Sequence, residues 1–206
     1  MPAQTFSRSQ DVCPALGHVN LMVDTLIANA KIDDLRSIVR GLLATQPPTV
    51  TTAFTGIART RLQQMDTARV YPNASSFFVW NIHSSSTMPT QQLHDTLTRI
   101  RSLYGAGLGF ASISALVPII RATIGLRWES NGVMADILAV IDADIGQAIQ
   151  SSKEEIEGSR VRDIVSARGV VSDLRVAVNE SLADTRSWGG EFPFERAVSS
   201  IQYWKI

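Results

Sequence analysis

Asp142 and Asp144 sit two residues apart in the apolar run Ile141-Asp-Ala-Asp-Ile, and close carboxylates are the residues here with most chemistry to offer. Paired acids of this kind can hold magnesium diphosphates. On a helix, however, positions i and i+2 diverge by about 160°, and a chelating pair needs i,i+3 or i,i+4, so metal-dependent terpene synthase chemistry is not supported. The other standard constellations fail as well. His18, His83 and His94 have no i,i+4 spacing, and the single cysteine, Cys13, lies in a polar stretch. There is no HExxH, no G-x-S-x-G, and no Walker or Rossmann signature. Gly105-Ala-Gly-Leu-Gly109 looks like a phosphate loop, but no strand precedes it and no Lys-Ser/Thr follows. Its glycines are expected to allow a tight turn and close helix packing. Neither a metal nor a cofactor is expected.

Asp144 is then the residue that needs an account. Over residues 131–156 a 100° step places Met134, Ile137, Leu138, Ile141, Ile145, Ala148 and Ser152 on one face, with Asp144 inside that arc. Asp142 falls at its far edge and Asp136 opposite. A buried carboxylate must be paired, hydrogen-bonded or protonated. Either Asp144 makes a structural ion pair with Arg168 or Arg175, seven residues apart beside the apolar face of the following helix, or it faces a ligand. Tryptophans at core spacing are most often packing. Tyr104, Trp128, Trp188 and Trp80 could instead wall an apolar pocket, with Asp144 and an arginine as its polar groups. Such a pocket would suit cyclisation or isomerisation of an apolar small molecule without a cofactor.

The elements that must position these groups are mostly helical. The spacing predicts helices over 20–31, 33–45, 49–64, 90–104, 110–124, 131–156, 159–187 and 191–206. The first three read as an antiparallel helical hairpin and a half, with Leu35, Ile38, Val39, Leu42 and Leu43 as the apolar stripe of the second. Between Asp66 and Pro89 the period breaks into a long aromatic loop, with Phe77, Phe78 and Trp80 as anchors and no convincing strand partner. It would be a lid or a structural strap. The expected fold is all-α, a single-domain bundle of seven or eight helices over 17–206, preceded by a polar tail over 1–16.

Length and composition bound the rest. The 206 residues suffice for one core. Nineteen basic residues balance nineteen acidic ones, so no phosphate-neutralising surface is indicated and nucleic acid is not an expected partner. The uncharged run Leu103–Ile120 reaches the length of a membrane span, but its three glycines and Pro118 favour a buried helix with a glycine-rich entry. No apolar stretch follows a basic start at the N-terminus, so a cytoplasmic protein is expected. A homo-oligomer is left open.

The runs RIRSLYGAGLGF (99–110), LRW (126–128), IDADIGQAIQSSKEE (141–155) and WGGEFPFER (188–196) resemble small all-helical proteins of filamentous fungi, some encoded near natural-product pathways. The resemblance covers about half the chain and implies a role in secondary metabolism. It carries no catalytic motif. Two functions are therefore expected: a cofactor-independent cyclase or isomerase, a pericyclase of Diels-Alderase type included, acting on an apolar natural-product intermediate; or a non-catalytic helical interaction or accessory protein.

Overall fold

The computed structural model describes residues 21–66, 77–82 and 86–206, which form eight helices and one two-stranded sheet. The chain divides into two compact units, Met1–Thr51 and Thr52–Ile206. The expected boundary at residue 16 lies outside the described residues.

In the smaller unit, α1 (Leu21–Asn29) and α2 (Ile32–Thr45) are followed by the first turn of α3 (Pro48–Asp66). Asp33 and Asp34 lie in the first turn of α2, where carboxylates favour the exposed N–H groups. Pro48 opens α3, at the one helical position where a missing N–H costs nothing. The apolar stripe of α2 marks the helix correctly but is not a buried face: Ile38 and Leu42 are 48% and 47% exposed, and none of residues 22–51 is buried.

The larger unit holds the core. After α3 come β1 (Phe78–Asn81), β2 (Ser86–Pro89), α4 (Gln91–Gly105), α5 (Gly109–Arg121), α6 (Val133–Glu157), α7 (Ile164–Trp188) and α8 (Glu195–Gln202). Apolar residues cover α5 nearly all round, as expected of an interior helix. It packs against α4, α6 and α7, with Ile113, Leu116, Ile119 and Ile120 fully buried. α6 in turn packs against α4, α5, α8 and β2, and the seven residues of its expected inner face are all buried.

The glycine-rich entry works as a turn. Gly107 takes a positive φ of 78° between α4 and α5, and a Cβ at Gly109 would overlap the backbone of Ser152, so α5 meets α6 there without a side chain between them. Uncharged residues 103–120 are thus divided between two helices, and no helix among the described residues is long and apolar enough to cross a membrane.

The aromatic segment departs from expectation. Its described part is an antiparallel hairpin in which Phe78 faces Pro89 and Trp80 faces Thr87. The partner strand, Ser-Thr-Met-Pro, has little of the β-branched and aromatic character that marks a strand, and its closing proline suits an edge. Residues 67–76 and 83–85, with His83, lie outside the described residues. Phe77 anchors the hairpin, 2% exposed, whereas Trp80 is 59% exposed. Thr90 joins hairpin to helix: its N–H and hydroxyl donate to the Phe77 carbonyl, while its Oγ1 accepts from Leu93 N–H and caps α4.

Two helices are shorter than their periodicity. Asp163 caps α7, its carboxylate accepting from the N–H groups of Val165 and Ser166, so residues 159–163 stay outside that helix. Only Glu195–Gln202 of the last segment is helical, with Phe194, Ile201 and Trp204 buried.

Candidate functional site

Asp144 lies on the buried side of α6, 7% exposed, and its partner comes from α4. Arg101 donates to it with two nitrogens, Nε at 3.1 Å and Nη2 at 2.8 Å. Tyr104 Oη donates to Oδ1 at 3.0 Å. Residues three apart on a helix share a face, so Arg101 and Tyr104 reach the same carboxylate. The hydrogen bond to Asp144 raises the Arg101 pKa and keeps the guanidinium cationic. Burial, then the neighbouring carboxylate charge, raises that of Tyr104, which stays a neutral donor. With three donors on it, Asp144 is a structural clamp between α4 and α6.

The expected partners are thereby corrected. Arg168 and Arg175 are exposed on α7, which packs on α5 and α8 rather than on the Asp144 face of α6. Arg175 lines a separate cavity with Val178, Asn179, Val198, Ile201 and Gln202. Arg101 was hidden by the wheel, which turns it away from the apolar stripe of α4. Its long side chain runs along the helix edge to reach the acid while the arginine stays 43% exposed.

Asp142, expected at the far edge of the arc, has a role that the spacing does not show. It is 5% exposed and accepts from the N–H groups of Ala197 at 2.9 Å and Arg196 at 3.4 Å. It thus caps α8 from another helix, where the preceding residue, Phe194, has no side-chain acceptor. Burial pushes its pKa up, opposed by the two backbone N–H groups. The two acids of the Asp-Ala-Asp run therefore serve different helices. Among the described residues no group of three or more His, Cys, Asp or Glu side chains could hold a metal ion.

The expected aromatic mould is only partly assembled. Trp80 from β1 and Trp128 from the α5–α6 connection line one open groove of about 630 Å³, with Met88, Val133 and Met134. Arg127, Glu129 and Asn131 supply polar groups to the same groove. Trp188 stands behind, its ring edge-on to Trp128 with centroids 5.2 Å apart. The Arg127 guanidinium lies 5.2 Å from the Trp188 centroid and pairs with Asp184 at 3.1 Å. That acid also accepts from Gly125 N–H at 3.1 Å, so the connection carrying Trp128 is fixed to α7 at two points. Trp188 Nε1 is buried and has no hydrogen-bond partner among the described residues. Tyr104 belongs to the Asp144 clamp, and neither residue lines the groove.

Indole and thioether walls with polar groups at the rim suit a flat apolar ligand carrying a polar edge. Compared with known proteins, the chain matches no family model, no curated protein and no solved structure.

Proposed function

We propose that the larger unit binds a flat apolar small molecule in the groove between Trp80 and Trp128, and that Asp144 takes no part in that binding. The observation that carries this reading is that two tryptophans, one of them 59% exposed, line one open groove. Exposing an indole to water loses the apolar burial that such side chains otherwise contribute. A ligand sandwiched there would restore it.

The catalytic form of the proposal, a cofactor-independent cyclase or isomerase, uses the same groove as its mould. Arg127 favours it, since a cation held at the rim by Asp184 and Trp188 is placed to polarise one substrate oxygen. Asp144 is a poor acid or base for such a reaction, because Arg101 and Tyr104 occupy its oxygens. A place in secondary metabolism rests on the sequence resemblance alone.

The test is calorimetric titration with 2-naphthol, a flat apolar probe with one polar edge. Loss of one stacking partner is expected to weaken binding about tenfold in Trp128→Ala. Asp144→Asn should bind as the parent does. Equal binding by parent and Trp128→Ala would remove the groove from the account, and loss of binding in a folded Asp144→Asn would restore the acid to it.

A further inference from the structure

A second cavity, of about 460 Å³, lies among α3, the α4–α5 turn and the α6–α7 connection, and every residue that lines it belongs to the larger unit. Three arginines line it: Arg59, Arg160 and Arg162. Two of them converge. One guanidinium nitrogen of Arg160 and one of Arg59 lie 3.3 and 3.5 Å from the point where a Cβ on Gly107 would stand. Two cations thus face one patch of bare backbone. Arg59 donates a long bond, 3.4 Å, to the Ala106 carbonyl. Among the described residues none of the three has an ion-pair partner.

The acids that share the cavity are engaged elsewhere. Glu155 accepts from Phe110 N–H at 3.3 Å, at the start of α5. Asp163 caps α7 through Val165 and Ser166. Each carboxylate answers the unpaired N–H groups of a helix N-terminus, and the three guanidiniums outnumber the two acids that line the cavity. The backbone that carries Arg160 is fixed by a turn. Ser159 takes a left-handed φ of 53°, and the N–H groups of Ser159 and Arg160 donate to the carbonyls of Ile156 and Glu155 at 2.8 and 3.0 Å. The end of α6 is closed by this turn, which presents Arg160 to the cavity.

We propose that this cavity binds an organic phosphate, its phosphoryl group on Arg59, Arg160 and Arg162 and its apolar part against Leu108, Phe110 and Val170. A phosphoryl group brings about two negative charges and three acceptor oxygens, one for each guanidinium, where a carboxylate brings one charge and two oxygens. The cavity is larger than inorganic phosphate fills, and Leu108, Phe110 and Val170 give it an apolar wall. Gly107 contributes by absence of a side chain, so the site needs none of the spacing of a phosphate loop. It is independent of the tryptophan groove.

Phenyl phosphate, inorganic phosphate and vesicles containing phosphatidic acid are the probes, measured against the parent protein, Arg160→Gln, Arg59→Gln and Arg175→Gln, with circular dichroism confirming that each variant is folded. Phenyl phosphate is expected to bind the parent more tightly than inorganic phosphate does, and to bind each arginine variant about tenfold or more weakly. Arg175→Gln, which removes an exposed arginine of a separate cavity, should bind it as the parent does, and raised salt should weaken it. The proposal is overturned if phenyl phosphate gives no binding heat, if both folded arginine variants bind it undiminished, if inorganic phosphate binds as tightly, or if only the vesicles bind.

Discussion

Asp142 makes the fold sensitive to acid in a direction opposite to most carboxylates. Burial raises its pKa above the ordinary 3.8, so Asp142 takes up a proton more readily in the native state than in the unfolded chain. Its contribution to stability is therefore greatest below the ordinary value and is lost as pH rises through the raised one. Asp142→Asn removes the charge and keeps an oxygen that can accept from Ala197 N–H. Urea denaturation from about pH 3 to about pH 7 should show the stability difference shifting toward the variant as pH rises. A shift toward the parent would mean that the N–H groups of α8 outweigh burial. At this scale, what was legible was a need: an acid inside the arc of α6 must have a partner. Which partner was not legible, because Arg101 stands outside its own helix's apolar stripe and reaches Asp144 by side-chain length. The cap on α8 joins residues far apart in sequence, where helical periodicity carries no information.

The helices of the larger unit were readable because period and burial coincide in them. Leu93, Leu97, Ile100 and Leu103 on α4, and Ala167, Val171, Leu174 and Val178 on α7, recur at helical spacing and are buried, although Ile164 and Leu182, which continue the α7 spacing, are not. The helix ends were less readable, since a cap such as Asp163 stops a pattern that the apolar residues would continue. The hairpin was least so, because β2 has a strand's geometry without a strand's composition. In α2 the stripe is present and the burial is absent, so periodicity alone does not distinguish a core face from an open one. The glycine turn yields a prediction for the α5–α6 contact. Gly109→Ala sets a methyl group against the backbone of Ser152, which cannot swing aside as a side chain would. It is expected to destabilise the protein by about 1–3 kcal/mol, read from the urea midpoint at unchanged slope. An unchanged midpoint would mean that the two helices do not touch there.

At the scale of the molecule, the larger unit offers two cavities of different character. One is walled by tryptophan and methionine, the other is edged by three arginines. The sequence offers Trp80 and Trp128 as pocket walls together with Tyr104 and Trp188, which do not line that groove, and it gives no sign of the second cavity. Trp80 and Trp128 come from a strand and a connection, outside the helical patterns that a sequence displays, and the arginines come from α3 and from the α6–α7 connection. The balanced net charge conceals the second cavity further, because its local excess disappears in the total. The central claim, a ligand held between Trp80 and Trp128, is tested most directly by indole N–H signals in a proton–nitrogen correlation spectrum during titration with 2-naphthol. The chain has four tryptophans, and Trp204, 5% exposed in the core against Phe110, serves as the internal control. The account predicts saturable shifts at Trp80 and Trp128 with Trp204 unmoved. Unmoved signals at Trp80 and Trp128, or equal shifts at all four indoles, would contradict it.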